Sequence, residues 1–233
     1  MIAEVAGVSL GAAGFLAYAV GGRSARVFGP SMHRGPRDRP SIALTFDDGP
    51  SESTPELLEL LARHGVRATF FQCGSSVRRL PEVSRAVAAA GHDVGNHGYS
   101  HARLFLRTPA FVENEIVRAQ ETIAEVTGTA PRLFRAPFGG RWFGMRRVQQ
   151  RLGLMGVMWT RIGNDWKWPP DRVVSHLLAG AKNGAIFCLH DGRNSRPGAD
   201  VSPTIEIVRR LLVEIPKRGF RLEPVSEWLC KGS

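Results

Sequence analysis

The chain has 233 residues, 43% of them hydrophobic, and a formal net charge of +10 at pH 7. That length and apolar content suit one sizeable domain with a real core, or one plus a short appendage, and exclude a disordered chain. Its 3 cysteines, Cys73, Cys188 and Cys230, are far apart and show no CxxC spacing, so nothing supports a disulfide framework or a thiolate zinc site.

The positive charge is arginine spread along the chain, with no block to act as a nucleic-acid arm. No specific nucleic-acid partner is expected; an anionic polymer, lipid headgroups or plain solvent would meet such a surface equally well. The first segment, residues 1–22, contains the uncharged run "VAGVSLGAAGFLAYAVGG" followed by Arg23 and Arg26. Spanning a bilayer takes about 20 predominantly apolar residues, so the segment is read as an uncleaved membrane anchor, with a signal sequence and a docked helix as alternatives. Basic residues after the run argue for a domain on the cytoplasmic side. Residues 23–40, "RSARVFGPSMHRGPRDRP", are rich in Gly, Pro and Arg and read as a linker. The domain proper is expected over 41–230.

From Ser41 onward, short apolar runs alternate with helical punctuation. "IALTF" reads as a strand, and "STPELLELLARHG" as a helix with Ser53 or Thr54 as cap, Pro55 in its first turn and Gly65 as stop. Further helices are expected in "LPEVSRAVAAAG", "TPAFVENEIVRAQETIAEVTG", "RRVQQRLG", "PPDRVVSHLLAGAKNG" and "SPTIEIVRRLLVEIPKRG". Further strands are expected in "RATFFQ", "HDVG", "RLFR", "GVMWT", "AIFCLH" and "FRLEPV", about seven in all. This βα alternation implies a parallel sheet, either a barrel or an open doubly wound sheet, with functional groups at the C-terminal strand ends.

Titratable residues gather at those ends. Asp47 and Asp48 follow "IALTF", His97 and His101 follow "HDVG", Arg135 follows "RLF", Asp165 follows "GVMWT", and His190 and then Asp191 follow "IFCL". His97 and His101 are four apart, a spacing at which two imidazoles share one helical face and reach one cation. Two imidazoles and one carboxylate suit zinc with a fourth position open. Of two adjacent aspartates, one can then be a ligand while the other faces the water. Cys73 and Cys188 sit in apolar runs and read as core residues, and His64, His92 and His176 read as structural.

In this order "TFDDGP", "HGYSH", "RAPFGG", "GNDW" and "CLHDG" resemble the five motifs of the NodB-homology polysaccharide deacetylases, carbohydrate esterase family four, over roughly residues 41 to 228. The resemblance implies an α/β fold, a distorted (β/α) barrel. It also implies a metal-dependent hydrolase that removes N-acetyl groups from N-acetylglucosamine-containing glycans such as peptidoglycan, chitin or chito-oligosaccharides. By the same resemblance Asp47 is the general base, Asp48, His97 and His101 hold the metal, Arg135 orients Asp47, Asp165 orients His190, and His190 is the general acid. Trp166 and Leu189 line the acetyl pocket, and the backbone N–H of Phe138 faces the oxyanion. The metal is expected to be Zn2+, with Co2+ or another divalent ion as alternative.

The expected partner is an acetylated glycan, met by a monomer at the membrane, in the cell envelope or outside the cell. Alternative readings keep the fold and site for a small cyclic amide or imide, for an O-acetyl ester, or for a weakly active glycan-binding module. One departure stands out: Gly98 replaces the Ser or Thr usual between the two histidines, from which a looser metal loop is expected.

Overall fold

In parallel strands buried on both faces, side chains alternate between two apolar surroundings, so any polar residue must point where a partner waits. The computed structural model describes residues 2–194 and 196–229, with side chains from Gly11 onward. Cys230, the expected end of the domain, lies outside the described residues. The elements run α1 (Ile2–Gly21), β1 (Ser31–Met32), β2 (Ser41–Asp47), α2 (Thr54–Arg63), β3 (Thr69–Gln72), α3 (Gly74–Arg79), α4 (Pro81–Ala89) and β4 (Asp93–Asn96). They continue with α5 (Pro109–Thr127), β5 (Leu133–Phe134), α6 (Met145–Leu152), β6 (Met155–Val157), β7 (Arg161–Ile162), α7 (Pro170–Leu178), β8 (Ala185–His190), α8 (Ser202–Lys217) and β9 (Arg221–Leu222).

Every strand pairing is parallel, in the order β1-β6-β5-β4-β3-β2-β8-β7, with β9 beside the start of β2. The path curls because β6 pairs β5 while β7, a few residues later in the chain, pairs β8. One continuous stretch, Met155–Ile162, thus links both flanks of the sheet and makes a distorted (β/α) barrel.

Alternation sorts the side chains. Ile42, Leu44, Phe46, Phe70, Phe187 and Leu189 face outward, into the main core with Leu57, Leu61, Val173, Leu177, Val208 and Leu211 of the helices. Ala43, Phe71, Leu133, Val157 and Ile186 face inward and form a second cluster inside the barrel. Fully burying each large apolar side chain contributes about 1.5–3 kcal/mol, so the outer cluster holds the helices to the sheet. The inner row then ends in Thr45, Asp47, Cys188 and His190, which sets chemistry at one mouth of the barrel.

Two expectations for the N-terminal region are corrected. Residues 23–40 are not a free linker: Ser31 and Met32 pair with Gly156 and Val157, and Ala25 and Phe28 are buried. Arg34 donates to Asn183 O from Nε and Nη2, and Arg141 donates to Ala25 O at 2.6 Å and to Gly22 O. These carbonyl contacts use the arginines that composition alone reads as solvated charge. The anchor expected at residues 1–22 is likewise not offered by α1, since among the described residues no helix is long and apolar enough to cross a membrane. Its glycines, Gly7, Gly11, Gly14 and Gly21, together with Glu4, dilute the apolar run.

Candidate active site

The mouth of the barrel opens into a cavity of about 460 Å³ lined by Asp47, Asp48, His97, His101, Trp166 and His190, with Phe138, Trp159 and Ile162 as apolar walls. That volume lies in the range of small-ligand sites. Three polar groups meet there, each held by a different part of the chain.

The first group is a donor triangle. Asp48 Oδ1 lies 2.9 Å from His101 Nε2 and 3.4 Å from His97 Nε2. His97 Nδ1 sits 2.8 Å from the Arg135 carbonyl oxygen; a carbonyl only accepts, so Nδ1 carries the proton and Nε2 presents its lone pair. Burial alone would raise the Asp48 carboxyl, but its contacts to His101 and His97 hold it well below the usual range. Its other oxygen accepts the Asn194 backbone N–H at 2.7 Å. Two imidazole nitrogens and a carboxylate oxygen, all within 4.8 Å of one another and buried, are the donor set of a divalent metal.

Backbone geometry places these ligands. Asp48 and His101 both take positive φ, 73° and 57°, so each turns off its element as soon as the strand or loop ends. A Cβ on Gly192 would lie 2.5 Å from the Asp48 carbonyl oxygen, which requires glycine in "HDG". Gly98, at φ 75°, is a turn position that an L side chain enters only with strain. The residues around it are tied by side chains. Asn96 Oδ1 accepts the Gly98 N–H at 2.9 Å, and Glu115 of α5 accepts the N–H groups of Tyr99 and Ser100 at 3.2 and 2.9 Å and the Ser100 hydroxyl at 3.0 Å. Glu115 thus ties this loop to a distant helix.

The second group is Asp47 with Arg135. Arg135 is wholly buried in the barrel, where its guanidinium donates to Asp47 Oδ1 at 2.6 Å, to the Thr45 hydroxyl at 2.8 Å and to the carbonyls of Val157 and Met158. Its plane lies over the Phe71 ring at 4.1 Å. A guanidinium so fully bonded cannot swing, and it fixes the Asp47 carboxylate in one pose. The other oxygen, Oδ2, accepts the Cys188 thiol at 3.4 Å.

The third group is His190 with Asp165. His190 Nδ1 is 2.8 Å from Asp165 Oδ1, and Asp165 Oδ2 accepts the His190 backbone N–H at 3.1 Å and the Thr204 hydroxyl at 2.5 Å. Burial works against the imidazolium, yet Asp165, with Asp48 and Asp47 beyond it, outweighs burial and pushes His190 up to about 9. Next to it, burial lifts Asp191 to about 7; its Oδ2 accepts from Thr54 Oγ1 at 2.8 Å, while Oδ1 has no hydrogen-bond partner among the described residues.

Of the residues expected at the site, Asp47, Asp48, His97, His101, Arg135, Asp165, His190, Phe138 and Trp166 are brought together around this mouth. Phe138, half exposed at φ 57°, lies 4.6 Å from the His101 ring, and Trp166 meets the His190 ring edge to face at 4.7 Å. Leu189 is not. Between inward-facing Cys188 and His190 it must face outward, and it is buried in the main core. Ile162 of β7 stands on the cavity wall in its place. Sequence reasoning misses Glu115, Asn194 and Thr204, none of which carries a local signal; Trp159, a strand-end aromatic in "GVMWT" that could meet a sugar ring or the core, stands on the cavity wall, and Thr45, two before Asp47 on one strand face, is legible from alternation.

A family model described as polysaccharide deacetylase matches residues 34–157. A chitooligosaccharide deacetylase of Bradyrhizobium sp. (strain ANU 289) is 38% identical over 196 residues, spanning 80% of this chain and 90% of the relative. A peptidoglycan-N-acetylglucosamine deacetylase of Bacillus cereus is 34% identical over 198 residues, 83% of this chain and 90% of that protein. Among solved structures, a peptidoglycan N-acetylglucosamine deacetylase superposes with a TM-score of 0.80 at 28% identity, covering 85% of this chain and 92% of the other.

Proposed function

This chain belongs to the polysaccharide deacetylase family, and we infer that it is a metal-dependent hydrolase removing N-acetyl groups from N-acetylglucosamine-containing glycans. The observation that carries this reading is the convergence, in one cavity, of a metal-ligand triangle, a carboxylate locked by a buried arginine and a histidine backed by an aspartate. Relatives named for chito-oligosaccharides and for peptidoglycan support an N-acetylglucosamine substrate. The peptidoglycan-named relative supports the cell envelope or the outside of the cell as the place of action.

In this reading Asp48, His97 and His101 hold the cation, and the nitrogen-rich set favours Zn2+. When bound, such an ion polarises the acetyl carbonyl and can lower the pKa of water from 15.7 to about 7. Asp47 accepts a proton from the attacking water as its oxygen adds to the acetamide carbon; Arg135 keeps the receiving oxygen aimed. The Phe138 N–H stabilises the charge that develops on the carbonyl oxygen. His190 donates its proton to the amide nitrogen as the C–N bond breaks, releasing acetate and the free amine, while Asp165 holds the imidazole by Nδ1 and stabilises its charged form. Trp166 and Phe138 flank the mouth and offer faces for a sugar ring.

Mass spectrometry of N-acetylglucosamine oligomers and of muramidase-digested peptidoglycan after incubation tests the substrate class. Loss of acetyl from N-acetylglucosamine units is expected. Products unchanged in both, with acetate released from O-acetylated xylan instead, would move the activity to ester bonds.

A further inference from the structure

The mechanism leaves one inward-facing residue without a task. Cys188 stands opposite Thr45, and His190 opposite Asp47, in the β2–β8 register, so Cys188, Asp47 and His190 project to the same side of adjacent strands. One donor atom from each of these three residues lies within 4.8 Å of the other two. This cluster shares no residue with Asp48, His97 and His101. Because Nδ1 of His190 is engaged by Asp165, Nε2 is its free ring nitrogen.

We propose that Asp47, Cys188 and His190 form a second cation site, selective for thiophilic divalent ions such as Cd2+, whose filling shuts the active site. The separation of Cys188 Sγ and Asp47 Oδ2 is 3.4 Å. A tetrahedral ion with the metal–sulfur and metal–oxygen lengths of zinc would set these atoms roughly 3.6 Å apart, so the pair lies close to one edge of the polyhedron and opens by a few tenths of an ångström for a larger ion. A thiolate beside an imidazole and a carboxylate prefers soft or borderline ions, and hard Mg2+ has little use for sulfur or for so few oxygens.

Binding exchanges two protons for the ion: the S–H bond breaks and Asp47 Oδ2, which accepts that hydrogen, passes it to solvent as the sulfur–metal bond forms, and the imidazolium of His190 gives its Nε2 proton to solvent as that nitrogen takes the ion. Nothing is oxidised. The ion then holds both the carboxylate assigned as base and the imidazole assigned as acid, so one binding event removes both proton carriers while the Asp48 triangle keeps its own ion. The binding stands on the geometry alone; only its inhibitory consequence rests on the proposed function.

Titration of the metal-free full chain with Cd2+ tests this, following the sulfur-to-cadmium charge-transfer absorption in the ultraviolet together with bound stoichiometry. The Asp48–His97–His101 set contains no sulfur and is silent in that band. Wild type should bind two ions with the band accompanying one of them; Cys188→Ser and Cys188→Ala should bind one with no band, and His101→Ala should keep the band. In acetate-release assays with wild type and Cys188→Ser, half-inhibition should move to ~10-fold higher Cd2+ or beyond, since losing a ligand costs at least what losing its supporting hydrogen bond does, about 10- to 100-fold. A wild-type protein without the band at excess Cd2+ would overturn the site. So would a band persisting in both Cys188 variants, which would assign it to Cys73 or Cys230. Loss of the band with unchanged inhibition would overturn the blocking role.

Discussion

Asp47 and Asp48 are adjacent in sequence and divided in space by one backbone turn: Asp47 ends its strand pointing to Arg135, and Asp48, at positive φ, turns to the two histidines. Like charges so close are tolerated because each has its own cationic or donor partner. The same logic makes Asp165 the source of the raised His190 proton affinity. Asp165→Asn is therefore expected to lower kcat and to move the alkaline limb of the pH profile to lower pH, because the imidazolium that donates the proton is lost sooner. A profile displaced upward, or one of unchanged shape, would contradict this role. Glu115→Gln keeps the shape of the side chain but weakens its grip on the Tyr99 and Ser100 N–H groups, and zinc affinity measured by competition with a chelator is expected to fall about 10- to 100-fold. Equal affinity would mean that the loop stands without it.

Elements explain which site residues the sequence makes legible. Strands β2 and β8 are long enough for alternation to show, and the ends of both carry the carboxylates and the histidine in plain sight. The acetyl-pocket expectation for Leu189 fails on that alternation, since a residue next to His190 on a strand must face the helices. Short elements are another matter: β1 and β7 have two residues each, too few for any period, and their Gly- and Pro-rich flanks read as linker and loop. Glu115 is illegible for a different reason, lying mid-helix among ordinary charged residues and reaching a loop that only the tertiary fold brings near. The reassignment of residues 23–40 has a direct consequence. A chain shortened to begin at Ser41 loses the β1–β6 pairing and the carbonyl partners of Arg141, and its Tm is expected to drop by about 5 °C or more, given 2–4 °C per kcal/mol at this size. A free linker would leave Tm unchanged.

At the scale of the whole molecule the barrel concentrates titratable groups at one mouth, and stability inherits their linkage. For His190, whose folded value is raised from 6.5 to about 9, the sign is set by the native state holding the extra proton. Its contribution is complete below pH 6.5 and is lost as pH climbs through about 9. The span corresponds to roughly 3 kcal/mol. Thermal melts of the metal-free protein should therefore weaken between pH 7 and 9, and Asp165→Asn should flatten that slope; a rise in Tm over the same interval would reverse the sign of the argument. The fold class is legible in the sequence because βα alternation is a property of the entire chain, whereas closure of the barrel through Met155–Ile162 depends on one segment serving two neighbours in turn.

Acetate release from N-acetylglucosamine oligomers, measured on zinc-loaded, chelated and reloaded protein beside zinc-loaded Asp47→Asn, addresses the mechanism most directly. Release that disappears on chelation, returns on reloading and falls about 10²- to 10⁴-fold in Asp47→Asn with its metal still bound is the expected outcome. Release that survives chelation, or an Asp47→Asn protein as active as wild type, would contradict a metal-assisted reaction with Asp47 as its base.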